Sequence, residues 1–201
     1  EHSVLLMPMI ENLLKDCELT INDIDGFVVS KGPGSFTGLR IGMATIKGLS
    51  FGANKPYISL SSLDGLAYSL SYFNGIICPI MDALRENVYT ALYKNEDGEF
   101  KNIMEPTPME LPDLLEMLKE KNEEVIFTGD GLLKHKEYIK VNFPNAKFAS
   151  NHVSLTRASS IGELGLNLLK QGIKDDPNSA PVYLKKPQAE RELEKRMRMS
   201  E

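Results

Sequence analysis

The stretch Lys31-Gly32-Pro33-Gly34-Ser35-Phe36-Thr37-Gly38 has the residue types of an anion site. A glycine-rich turn leaves backbone N–H groups free, and a helix starting there adds partial positive charge. Gly32, Gly34, Ser35, Thr37 and Gly38 are therefore the candidate nucleotide-loop residues. Their spacing fits no established phosphate motif. A Walker A loop ends in Gly-Lys-Ser/Thr, and this one ends Thr37-Gly38-Leu39. Glycines at 32, 34 and 38 miss G-x-G-x-x-G by one position, and Ser35 directly follows Gly34, unlike the serine of a nucleophile elbow. A tight strand-to-helix turn is the favoured reading, with Thr37 as N-cap of the helix.

Other chemistry is sparse. His2, His135 and His152 are remote in sequence and lack ligand spacing, so each reads as a surface or structural histidine. Asp82, Arg85 and Glu86 share one turn after a strand, either a charged pocket edge or, more simply, a solvated turn. Gly129-Asp130-Gly131 follows an apolar strand, where α/β sheets bind ligands, but a tight turn explains it equally well. Ser35, Ser61 and Ser62 have no histidine partner in reach by sequence, so no triad assembles. The two cysteines, Cys17 and Cys78, form no CxxC pair and imply no disulfide framework, which suits a reducing cytoplasm.

Composition bounds the class. The chain has 201 residues, 42% apolar and 25% charged, as expected for a soluble globular protein. A net charge of −5 gives no general attraction to phosphate backbones, so nucleic acid would need a local basic patch or a partner. No apolar run reaches membrane-spanning length and no signal peptide is visible. The chain opens on Glu1, already in a helical pattern, so a natural start is expected to precede it or to have been processed away.

The elements that must hold these residues alternate in type. Helices are expected over 3–16, 38–53, 61–72, 111–121, 132–141 and 157–171, and over the charged stretch 190–199. Strands are expected over 26–30, 55–60, 76–81, 88–93, 100–104, 124–128 and 147–149, with a hairpin turn at Asn95-Glu96-Asp97-Gly98. Residues 173–189, with three prolines, read as extended loop. The pattern is α/β. The helices 3–16 and 38–53 are apolar on more than one side, more than one sheet can cover, and such faces mark an interface. The candidate interface residues are Leu6, Met9, Leu13, Leu39, Arg40, Gly42, Met43, Ile46 and Lys47.

Four runs carry a family resemblance: KGPGSFTGLRIGMATIKGLSFGANKPYISLSS from Lys31, HSVLLMPMI from His2, IMDALRENVY from Ile80 and YLKKPQAERE from Tyr183. Together they resemble the bacterial TsaB (YeaZ) family. The resemblance implies an actin/hexokinase/Hsp70-like fold of two lobes, expected over 1–95 and 96–201, the second with a charged tail. It also implies a non-catalytic subunit that partners the TsaD transferase in forming N6-threonylcarbamoyladenosine beside the tRNA anticodon. In that pathway TsaC makes threonylcarbamoyl-AMP, TsaD transfers the group and TsaE is an ATPase. The implied partners are TsaD and TsaE, with tRNA reached only through the complex. Alone, the chain is expected to form a homodimer through the same two helices. No cofactor of its own is implied, although ATP or ADP fits at the TsaD interface.

TsaD, a paralogue, carries a His-x-x-x-His metal pair, and the corresponding positions here are Ser62 and Leu66. Neither suits a metal, so none is expected, and a peptidase label for the superfamily finds no support in the residues. The family normally opens with a further β-hairpin bearing an Asp-Thr nucleotide contact, and Glu1 starts after it. Weak nucleotide binding and exposed sheet edges are the expectation for this chain. The alternative to a binding subunit is a stand-alone nucleotide hydrolase of the same fold or, with less to stand on, a peptidase.

Overall fold

A computed structural model describes residues 2–83, 87–176 and 178–181. The expected helix over 190–199, the turn residues Leu84, Arg85 and Glu86, and the run from Tyr183 lie outside them. The elements are α1 (His2–Asp16), β1 (Phe27–Gly32), α2 (Phe36–Ala53), β2 (Tyr57–Ser61), α3 (Ser62–Tyr68), β3 (Ile76–Asp82), β4 (Asn87–Glu96), β5 (Glu99–Glu110), α4 (Leu111–Lys121), β6 (Val125–Thr128), α5 (Leu132–Asn142), β7 (Lys147–Phe148) and α6 (Ala158–Lys170).

Two sheets organise them. The smaller pairs β1 with β2 in parallel, Phe27 opposite Tyr57, with α2 as the crossover. Parallel strands need cover on both faces. On one side Met43 of α2 packs with Phe27, Val29 and Tyr57. On the other, Ile161 of α6 packs with Ile58 and Leu60. Beyond α6 the chain returns along β2, where Asp175 N–H donates to the Tyr57 carbonyl at 2.9 Å and Tyr57 Oη donates to the Asp176 carbonyl at 2.8 Å.

The larger sheet has the order β5-β4-β3-β6-β7. The hairpins β3–β4 and β4–β5 are antiparallel, while β3–β6 and β6–β7 are parallel. Strand β3 shows why its sequence is almost continuously apolar. Ile76, Cys78 and Ile80 point to α4 and α5, against Leu114, Leu118 and Ile139, with Phe127 of β6 in the same cluster. Ile77 points to the opposite face, against Leu63, Leu66 and Leu70 of α3 and the segment after it. The sheet runs from Ile76 to Phe148, so the lobe division expected after residue 95 falls inside the β4–β5 hairpin. The change of sheet comes between Ser61 and Ile76.

Helix α3 is shorter than expected. It ends at Tyr68, and the chain continues in successive i to i+3 turns, Leu70 N–H to the Ala67 carbonyl and Phe73 N–H to the Leu70 carbonyl. Leu70 stays buried in these turns, so its apolar spacing reads as helix although the helix has stopped. Strand β5 extends to Glu110, well past the expected Met104, because β4 supplies a partner as far as Asn87.

Cys17 is exposed, and Cys78 lies in the interior of β3. Burial pushes the Cys78 thiol up to about 12. A thiolate is the reactive form. Native protein is therefore expected to titrate one thiol with an aromatic disulfide reagent, the second appearing only on unfolding. Two fast thiols in the native state would contradict this core.

Candidate functional site

The glycine-rich turn spends much of its donor capacity on the fold. Gly32 has φ +106°. Its N–H donates to Ser30 Oγ at 3.3 Å, and its carbonyl accepts from Ser61 Oγ at 3.1 Å. Ser35, not Thr37, is the N-cap of α2: Ser35 Oγ accepts the Gly38 N–H at 3.3 Å and its carbonyl accepts the Leu39 N–H at 2.9 Å. Thr37 is the second residue of the helix. The apolar periodicity begins only at Leu39, because Phe36 and Thr37 face solvent, and this hides the earlier start. Gly34 and Ser35 are exposed at the tip. The geometry packs α2 against β1, with Met43 over Phe27 and Val29.

Ser35→Ala is expected to cost about 1 kcal/mol of stability, the usual loss for an N-cap. Activity in a reconstituted assembly should stay within a few-fold. A drop of about a thousandfold, the scale of a lost nucleophile, with folding intact, would assign Ser35 a chemical role.

Ser62 and Leu66 serve packing. Ser62 Oγ shares a hydrogen bond with Ser30 Oγ at 2.6 Å, and Leu66 is fully enclosed in the core under α3. Among the described residues no group of three or more His, Cys, Asp or Glu side chains is placed to hold a metal ion.

The unusual surface is on α1. Leu6, Ile10 and Leu14 are half-buried. Val4, Leu5, Met7, Met9 and Leu13 stay exposed, Met9 at 66% and Leu13 at 64%. Pro8 sits within the helix without ending it. Between α1, α2 and β1 lies an apolar groove of about 490 Å³ lined by Leu5, Leu6, Met9, Leu39, Ile41 and Gly42 among others. Leu6, Met9, Leu39 and Gly42 thus share one groove. Arg40 is exposed, its guanidinium 4.1 Å above the Phe36 ring, and Lys47 is half-buried. Two expected interface residues face inward instead. Met43 is 3% exposed in the core under α2, and Ile46 packs against the same cluster. A helix apolar on several sides gives no sign of which side the sheet takes.

A second crevice lies beyond the carboxyl ends of β3 and β6. A Cβ on Gly129 would lie 2.2 Å from the Ile80 carbonyl oxygen, and the Gly131 N–H donates to that oxygen at 3.1 Å. The Gly129-Asp130-Gly131 turn is therefore set by close approach to β3. His135, read from sequence as a surface or structural residue, is buried; its Nε2 lacks a hydrogen bond and lies 3.8 Å from Asp82 Oδ1. Lys134 Nζ is 3.3 Å from the same oxygen. His152 is exposed in a short 3-10 turn.

The family model described as "TsaD: tRNA N6-adenosine threonylcarbamoyltransferase" matches residues 1–193. The tRNA threonylcarbamoyladenosine biosynthesis protein TsaB of Buchnera aphidicola subsp. Baizongia pistaciae is 31% identical over 171 residues, 80% of this chain and 76% of that protein. The chain belongs to the TsaB family, within the wider TsaD-type domain family. The TsaB of Bacillus subtilis is 42% identical over 139 residues, 69% of this chain and 61% of its own length. The chain thus spans about three-fifths of that relative. The structure titled "YeaZ from Pseudomonas aeruginosa" superposes with a TM-score of 0.72 at 22% identity, covering 91% of this chain and 84% of its own. That likeness shows the fold, the actin/hexokinase/Hsp70-like arrangement expected of the family. No described helix of this TsaB-family chain is long and apolar enough to cross a membrane.

The sequence reading passed over Asp64 and Tyr93. Tyr93 Oη donates to Asp64 Oδ1 at 2.6 Å, and the Ser61 N–H donates to Asp64 Oδ2 at 2.6 Å. The signal was present, because Ser61-x-x-Asp64 is the pattern of a capping box, which the structure forms at the start of α3.

Proposed function

We propose that this chain acts in tRNA threonylcarbamoyladenosine biosynthesis, the process named for its relatives, as the non-catalytic partner of a TsaD transferase. The observation that carries the reading is the exposed apolar face of α1 beside the α1–α2 groove. A helix that leaves Val4, Leu5, Met9 and Leu13 in water has a large desolvation gain to collect from a partner. Ser62 and Leu66, where the paralogue has its metal-binding histidines, support a subunit without that chemistry. In this reading TsaE joins the same assembly, tRNA is reached only through the complex, and ATP or ADP binds at the shared interface and not to this chain alone. The setting is the cytoplasm.

The same face pairs with itself when TsaD is absent, giving a two-fold homodimer that TsaD replaces with a heterodimer. Sedimentation velocity of the chain alone and mixed with TsaD tests this. A dimer alone and a one-to-one complex in the mixture are expected. Two non-interacting monomers would overturn the reading.

A further inference from the structure

We propose that Asp64 is a proton-linked clasp between the two sheets, joined through Tyr93 to the larger sheet and through Ser61 to the glycine-rich turn of the smaller one. The links are continuous. Tyr93 lies in β4, and its Oη donates to Asp64 Oδ1 at 2.6 Å. Asp64 Oδ2 accepts the Ser61 N–H at 2.6 Å. Ser61 Oγ donates to the Gly32 carbonyl at 3.1 Å and accepts the Leu63 N–H at 3.1 Å. Beside it, Ser30 Oγ of β1 and Ser62 Oγ of α3 are 2.6 Å apart. One carboxylate therefore sits between β4 and the turn that aims α2.

The clasp has two inequivalent arms. Both groups facing the carboxylate are donors, so its ionised form satisfies both. A proton on Oδ2 directed along the Ser61 N–H would meet a donor with no lone pair to receive it. A proton on Oδ1 directed at Tyr93 does find an acceptor, because the hydroxyl can turn its own hydrogen away and receive it. Proton binding thus rearranges the Tyr93 arm and leaves the Ser61 arm in place. Burial and the neighbouring Asp64 push the Tyr93 hydroxyl upward, so it remains protonated.

The titratable groups that act on Asp64 come from three strands. They are Tyr93 of β4, Lys31 of β1 and Glu105 of β5, Lys31 favouring the carboxylate and Glu105 opposing it. Burial is the largest influence and holds the Asp64 carboxyl above the usual aspartate range, against the lowering by Tyr93, Ser61 and Lys31. A carboxyl whose folded pKa is raised contributes stability that is complete below its unfolded pKa. That contribution is lost as pH rises through the folded value.

Carboxyl-carbon NMR titration of the intact chain tests the clasp, with Tyr93→Phe and Asp64→Asn as variants. Asp64 is expected to titrate above the exposed aspartates, and the Tyr93 ring signals should follow the same midpoint. The protection of the Ser61 amide against hydrogen exchange should not change across that midpoint. Tyr93→Phe removes a donor to the carboxylate, so the Asp64 midpoint should rise further. In Asp64→Asn the Tyr93 ring signals should lose that titration. An Asp64 that titrates with the exposed aspartates, Tyr93 signals that ignore its midpoint, or an unmoved midpoint in Tyr93→Phe would each overturn the proposal. These readings come from the folded wild-type chain first, so a poorly folding variant does not decide the outcome.

Discussion

With Met9 and Leu13 both replaced by glutamate, the chain is expected to sediment as a monomer and to lose its hold on TsaD. Both side chains are exposed in the free chain, so the changes remove no core contact. Surface substitutions of that kind usually stay within about 0.5 kcal/mol of neutral. Buried in an interface, each apolar anchor is worth about 2 kcal/mol or more, and an unpaired carboxylate there costs further. The pair should weaken association at least about a thousandfold, at about 1.4 kcal/mol per tenfold. Met43→Glu gives the contrast, because it puts a charge into the core formed with Phe27, Val29 and Tyr57 and should unfold the smaller sheet. An unaltered dimer in the double variant would place the interface elsewhere.

Gly129→Ala is the single substitution expected to cost the fold most. Gly129 has φ +104°, and its missing Cβ would lie 2.2 Å from the Ile80 carbonyl oxygen, which is backbone and cannot rotate away. The clash would push the turn off β3 and break the Gly131 N–H to Ile80 hydrogen bond that starts α5. A loss above about 3 kcal/mol is expected, beyond the usual effect of a point mutation. Gly98→Ala separates strain from clash, since Gly98 has φ +84° but nothing within 4 Å of the added atom. It should cost only about 1 kcal/mol. Urea unfolding of both variants gives the comparison, and equal losses would remove the close approach as the cause.

The elements were legible where local chemistry and tertiary packing agree. Helix α4 runs from Leu111 to Lys121 as its spacing requires, and the Asp97-Gly98 turn joins β4 to β5. The errors come from choices made by the rest of the molecule. Thr37 and Ser35 are both good caps, and in the structure Ser35 takes the role, accepting the Gly38 N–H. Met43 and Met9 are equally apolar in sequence, yet one sits beneath α2 and the other in water. The pairing of Asp64 with Tyr93 joins residues 29 positions apart through a sheet that neither residue reveals alone. Family membership was legible because the run from Lys31 to Ser62 retains the turn, α2 and β2 together.

The most direct measurement of the central claim is threonylcarbamoyladenosine formation on tRNA in a reconstituted mixture of TsaC, TsaD and TsaE, with ATP, threonine and bicarbonate. Adding this chain is expected to switch the modification on, and the Met9→Glu, Leu13→Glu variant should fail to do so while remaining folded. Modification that proceeds equally well without the chain, or that the double variant restores in full, would contradict the account.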